Sequence, residues 1–141
     1  RIHRFYQGYH QTLIDFFNIL YEKHRKIYHL NVHSMPSAVV MANFPHAPPD
    51  IILGDRDGRS CGLSVRNAVA ESLRSMGYRV AINQLYKGAE IITRYGQPAW
   101  DQHSLQIEIN RAVFMDENTR EKSNHFKELC QNIKNIVELC T

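Results

Sequence analysis

The chain has 141 residues, 43% of them hydrophobic, which suits one domain around one core and argues against a second. Lys and Arg number 17 against 14 Asp and Glu, and the basic residues (Arg1, Arg4, Lys23, Arg25, Lys26, Arg56, Arg59, Arg66) are scattered instead of forming a run that grips phosphates, so nucleic acid is not an expected partner. No apolar stretch nears the ~20 residues that span a bilayer, no charged-then-apolar leader opens the chain, and Cys61, Cys130 and Cys140 lack zinc-knuckle or redox spacing; a cytoplasmic chain without membrane contact, its thiols reduced and two of them packed, is expected.

Tyr9, Leu13, Phe16, Phe17 and Leu20 recur at helical spacing, which predicts an amphipathic helix over 2–25. Arg1 already stands inside that pattern without a cap or an initiator methionine, so the chain is expected to be part of something longer. "KIYHLNVHS" reads as a strand with His33 at its end. Pro36, Pro45, Pro48 and Pro49 predict loop until "DIILG" offers a short buried strand at 50–54. "GDRDGRSCG" is a polar, glycine-rich loop, after which Ser64 is expected to cap a helix carrying Val65, Ala68, Val69, Leu73 and Met76 and ending at Gly77. "YRVAIN" follows as a strand. "QLYKGAEIITRYGQPAWDQ" mixes Gly, Lys and Arg with a short apolar run, and "HSLQIEIN" then alternates as a strand should. The last predicted element is a helix over about 118–139, with Phe126, Leu129, Cys130, Ile133, Ile136, Val137 and Cys140 on one stripe.

Helix and strand alternate, which predicts an α/β fold with a mostly parallel sheet flanked by helices. Ligands gather at the carboxyl ends of such strands. His33, the "GDRDGRS" loop and the residues after Asn83 are expected there.

Taken singly, the residues that carry chemistry leave alternatives open. His33 is one of eight histidines, and its position alone suits a core or loop imidazole satisfied by a carbonyl more readily than a ligand. Leu105, Ile107 and Ile109 claim one face of their strand and leave Gln106, Glu108 and Asn110 on the other, either a solvated outer face or the wall of a cleft in which Glu108 is held as a general base. Asp55, Arg56, Asp57 and Arg59 lie around Gly54 and Gly58 in a tight loop, and Lys87 and Arg94 each sit beside a glycine-containing turn. Arginine forks suit carboxylates, but opposite charges on a surface turn also satisfy one another.

The order of four blocks is more telling. "NVHSMPS", "PDIILGDRDGRSC", "YKGAEIITRYGQP" and "HSLQIEINRAVFM" together resemble the N-formylglutamate amidohydrolase (deformylase) family from about Tyr6 to Met115. That resemblance implies a fold distantly like the zinc carboxypeptidases, of the phosphorylase/hydrolase-like kind, in which a His-Ser at a strand end supplies a zinc ligand and a glutamate on a later strand activates water. Here these roles would fall on His33 and Glu108, with Ser34 shaping the turn. Family members hydrolyse N-formyl-L-glutamate to formate and glutamate, late in histidine breakdown. Such an acidic substrate implies carboxylate-binding roles for Arg59 and Arg94, with Arg56 and Lys87 in reserve.

The family's other zinc ligands lie in an amino-terminal segment with a His-Ser-Gly-like stretch that has no counterpart here, and His46 comes after the His33 block. Residues 1–141 are therefore expected to form one domain lacking its amino-terminal part, with one visible ligand of the about three that catalytic zinc takes. Two other functions fit the same blocks. One is a non-catalytic module that binds an acidic metabolite or partner through its arginines, and the other is a related zinc amidase or peptidase with a different substrate.

Overall fold

The computed structural model describes residues 2–140, with side chains from Phe5 to Cys140. Arg1, on which the expectation of a longer protein rests, lies outside the described residues. A π-helical lead-in, Ile2–Gln7, runs into α1 (Gly8–His24), which ends where Arg25 turns left-handed and donates its N–H to the Tyr21 carbonyl. There follow β1 (Ile27–Met35), α2 (Ser37–Asn43), β2 (Ile51–Gly54), α3 (Leu63–Ser75), β3 (Val80–Ile82), α4 (Glu90–Tyr95), β4 (Gln102–Asn110) and α5 (Phe126–Leu139).

The four strands form one sheet in the order β1-β4-β2-β3. β1 pairs with β4 and β2 with β3 in parallel, while β2 meets β4 antiparallel. The sheet is thus mixed and mostly parallel, as the alternation of elements implied. The antiparallel join corrects one expectation, because the carboxyl ends of β1 and β4 lie at one rim and those of β2 and β3 at the other. His33 and the "GDRDGRS" loop therefore leave the sheet in opposite directions. β2 is short, so the loop begins only two residues beyond the row of His33: Ile52 is level with Glu108 and Gly54 with Gln106.

Side chains alternate across the sheet and paired residues share a face. One face of β4 presents Leu105, Ile107 and Ile109, which join Ile51 and Leu53 of β2, Val69 and Leu73 of α3, and Leu129 and Ile136 of α5 in the main core. The opposite face carries a polar strip bracketed by two smaller apolar clusters, Phe17, Ile27 and Tyr95 at one end and Met35, Val40 and Ile52 at the other. That strip holds the candidate site.

Three local expectations are corrected. Residues 37–43 form α2 instead of loop: Pro36 precedes the helix, where its missing N–H costs nothing, Pro45 lies past its end, and Val40 is fully buried against the strands. Ser64 caps nothing, since α3 starts at Leu63 with Gly62 as N-cap and no side-chain cap. α5 begins at Phe126, because a turn intervenes in which the Asp116 carboxylate accepts the N–H groups of Asn118 and Thr119. All three cysteines are free. Cys61 is buried, which pushes its thiol up to about 12, and Cys140 is half-buried. Among the described residues no helix is long and apolar enough to cross a membrane.

Candidate functional site

Register builds the site. His33 lies opposite Glu108 on neighbouring parallel strands, so both side chains project from the same face, with His33 Nδ1 3.8 Å from Glu108 Oε1. His33 sits within β1, which continues through Ser34 to Met35. Ser34 therefore shapes no turn; its hydroxyl accepts a hydrogen bond from Arg111 Nε at 3.3 Å. The strip is not a solvated outer face, since Gln106, Glu108 and Asn110 are all buried. The imidazole, by contrast, is 44% exposed, so a sequestered carboxylate stands beside an accessible ring.

Two more rows continue the strip. Gln106 donates from Nε2 to Glu108 Oε1 at 2.8 Å and accepts the Ala89 N–H on Oε1 at 2.9 Å. Opposite Gln106 stands Asn31, whose Nδ2 is buried without a hydrogen-bond partner among the described residues. An orphaned buried donor is uncommon and demands a reason. One row further, His29 Nδ1 lies 2.6 Å from Ser104 Oγ, and burial holds the His29 imidazole below its ordinary range and hence neutral at pH 7. Sequence reasoning passed over Gln106 and Asn31 as site residues. The signal for Gln106 was present in the alternation that sets it on the face of Glu108; that for Asn31 depends on register.

The arginine loop is built on a buried ion pair. Asp55 is fully buried, its Oδ2 accepting from Arg66 Nη1 at 3.0 Å and its Oδ1 from Gly58 N at 3.0 Å and Asn83 Nδ2 at 2.5 Å. Arg56, Asp57 and Gly58 all have positive φ, which closes the turn and throws Arg56 and Arg59 outward. The 86–89 loop lies directly on this turn. Arg56 N donates to the Lys87 carbonyl at 2.9 Å, and a Cβ on Gly54 would stand 2.7 Å from the Lys87 carbonyl carbon, so only glycine permits the approach.

Between the two loops lies a cleft of ≈ 470 Å³ lined by Arg56, Arg59, Lys87, Ala89 and Glu90, among others. Arg56 hydrogen-bonds Thr93 Oγ1 across it, and Lys87 Nζ pairs with Asp57 at 3.0 Å on the exposed rim. The structure brings Arg56, Arg59 and Lys87 together and sets Arg94 apart. Arg94 points toward α1, within 3.2 Å of the Tyr6 hydroxyl and 3.7 Å of Glu90.

For zinc, the strip offers His33 with Glu108 beside it, while His29, two rows further along the face, has its Nδ1 engaged with Ser104. Among the described residues no three His, Cys, Asp or Glu side chains converge as a metal site. These residues fit one position of a catalytic zinc site and do not by themselves complete it.

Comparison with known proteins identifies the family. A family model described as N-formylglutamate amidohydrolase matches residues 1–115. N-formylglutamate deformylase of Pseudomonas putida is 29% identical over 121 residues, which cover 82% of this chain and 43% of that protein. The Pseudomonas aeruginosa N-formylglutamate deformylase is 34% identical over 70 residues, 49% of this chain and 26% of that one. The crystal structure of N-formylglutamate amidohydrolase from Ralstonia eutropha JMP134 superposes with a TM-score of 0.86 at 38% identity, over 96% of this chain and 50% of that one. The chain spans about half the length, or less, of these relatives.

Proposed function

The chain belongs to the N-formylglutamate amidohydrolase family, and from that premise we propose that it supplies the base and the acidic-substrate cleft of a hydrolase that converts N-formyl-L-glutamate to formate and glutamate. The observation that carries this reading is a buried carboxylate, Glu108, paired in register with the accessible His33 and joined through Gln106 to the wall of an arginine-lined cleft.

Glu108 takes a proton from the attacking water as the water oxygen adds to the formyl carbon. It then passes that proton to the departing nitrogen as the C–N bond breaks. Arg56 and Arg59 bind the substrate carboxylates through forked, charge-assisted hydrogen bonds, and Lys87 adds a point charge at the rim. His33 is the zinc ligand that this chain contributes. A zinc ion held there would supply Lewis-acid chemistry, polarisation of the formyl carbonyl and a more acidic water. The reaction belongs late in histidine degradation, in the cytoplasm.

Formate release from N-formyl-L-glutamate by the zinc-loaded full-length protein, measured beside N-formyl-L-leucine and N-acetyl-L-glutamate, tests the proposal. Rapid turnover of N-formyl-L-glutamate alone supports it. Tight binding without formate marks a binding module, and preference for another substrate marks a related amidase.

A further inference from the structure

We infer that Gln106 is a positioning residue: its side-chain amide holds the Glu108 carboxylate and ties it to the wall of the arginine cleft at Ala89. The inference deepens the hydrolase reading and rests on it for its kinetic consequence only.

The orientation of the amide follows from its partners. The Ala89 nitrogen is a backbone N–H and can only donate, so the Gln106 oxygen must face it at 2.9 Å. Nε2 is thereby turned toward Glu108 and donates to Oε1 at 2.8 Å. Oε1 is also the oxygen 3.8 Å from His33, so one carboxylate oxygen carries both neighbours. The other, Oε2, has no hydrogen bond among the described residues and is the one left to accept a proton. Gln106 itself is 3% exposed, and both ends of its amide are used. Because Gln106 is so nearly buried, loss of either partner leaves an amide group unpaired, so the arrangement tolerates little drift.

The far end of the tie is equally constrained. Ala89 follows Gly88, where a φ of 115° favours glycine and an added Cβ would run into the Ile92 side chain, and it directly precedes α4. Lys87, Gly88 and Ala89 all line the cleft. A substrate carboxylate seated on Arg56 and Arg59 therefore lies against the segment whose next polar contact is the amide that orients the base. Gln106 sets the distance between the place where the substrate is gripped and the place where it is cut, and an error of about 1 Å in such a distance costs on the order of a hundredfold in rate.

Two substitutions separate the two ends of the tie. Gln106→Glu keeps an acceptor for Ala89 but sets a second carboxylate against Glu108, whereas Gln106→Leu removes both bonds. Amide hydrogen exchange by NMR and steady-state kinetics of the zinc-loaded full-length protein are measured on each. In Q106L the Ala89 amide is expected to exchange at least tenfold faster while that of Ile107 in the core stays slow, which certifies the fold. In Q106E, Ala89 protection persists and KM stays within threefold, but kcat falls at least tenfold, a split that a purely structural role would not produce. Wild-type kcat in Q106E, or unchanged Ala89 exchange in a folded Q106L, overturns the inference. If the wild-type protein releases no formate, the hydrolase reading falls while the tie is still decided. Glu108→Ala must then displace the Gln106 side-chain amide signals and speed their exchange, and unmoved signals refute it.

Discussion

His33 and Glu108 stand opposite each other on two parallel strands that are 75 residues apart in sequence, with the imidazole Nδ1 3.8 Å from the carboxylate. Parallel pairing fixes that juxtaposition through the backbone, so it does not depend on a flexible loop. The pair combines an accessible ring with a sequestered carboxylate, and the proposed role of that carboxylate as the base carries the first prediction. Glu108→Gln keeps the volume and an acceptor for Gln106, so the fold should hold while formate release drops by about 10²–10⁴, the usual worth of a general acid–base group. Turnover measured beside circular dichroism checks it, and activity within threefold of wild type would remove Glu108 from the chemistry.

The cleft makes a finer prediction about the arginines. Arg56 and Arg59 line it, whereas Arg94 faces Tyr6 and Glu90. Arg59→Ala and Arg56→Ala should each weaken N-formyl-L-glutamate binding by ~1.5–3 kcal/mol, the range for a hydrogen bond to a charged group. Arg94→Ala should change it by less than about 0.5 kcal/mol, as a surface substitution does. Calorimetric titration of the three variants decides whether the cleft or the α1 side of α4 receives the substrate.

Asp55 supports that cleft from beneath. Its carboxylate is fully buried and satisfied by Arg66, Asn83 and the Gly58 N–H. Removing one partner of a buried pair leaves the other charge uncompensated, which costs about 3–5 kcal/mol. Asp55→Ala and Arg66→Ala should each lower unfolding stability by that order in urea melts. A loss below about 1 kcal/mol in both would mean that solvent reaches the pair.

Stability should also fall on mild acidification. Burial holds both His29 and His103 below the ordinary value of 6.5, and for His103 nearby Lys26 adds to this while Asp101 opposes it. His103 Nδ1 accepts the Gly62 N–H at 3.1 Å, a bond that the protonated ring cannot make. The unfolded chain therefore binds more protons as pH drops below about 6.5, and stability declines until the pH passes the lower folded-state values, below which these two rings contribute no further change. Melting temperatures at pH 7.5 and 5.5 should show the decline, and His103→Gln should shrink it. A melting temperature that rises on acidification contradicts the assignment.

Zinc retention follows from donor count. His33 with Glu108 beside it falls short of the about three protein ligands that hold catalytic zinc, so residues 1–141 alone should lose the metal on dialysis. Elemental analysis is the check, and one zinc per chain retained would mean that further donors converge on His33.

What the sequence determined by itself is what local pattern encodes. The helical stripes of α1, α3 and α5, the alternation of β4 and the four ordered blocks were legible, and with them the α/β class and the family. The alternation even put Gln106 and Glu108 on one face. It had no means of telling whether that face meets water, because burial depends on α1, α2 and α4 folding over it from distant parts of the chain. The remaining facts belong to tertiary structure for the same reason. Register between strands 75 residues apart sets His33 against Glu108 and leaves Asn31 Nδ2 without a hydrogen-bond partner among the described residues. An antiparallel join that no single strand encodes sends the arginine loop toward the opposite rim. Arg94 lies one residue from Thr93 in sequence, yet the turn of α4 aims Thr93 into the cleft and Arg94 at Tyr6, a choice made by packing against α1 and invisible to charge or spacing.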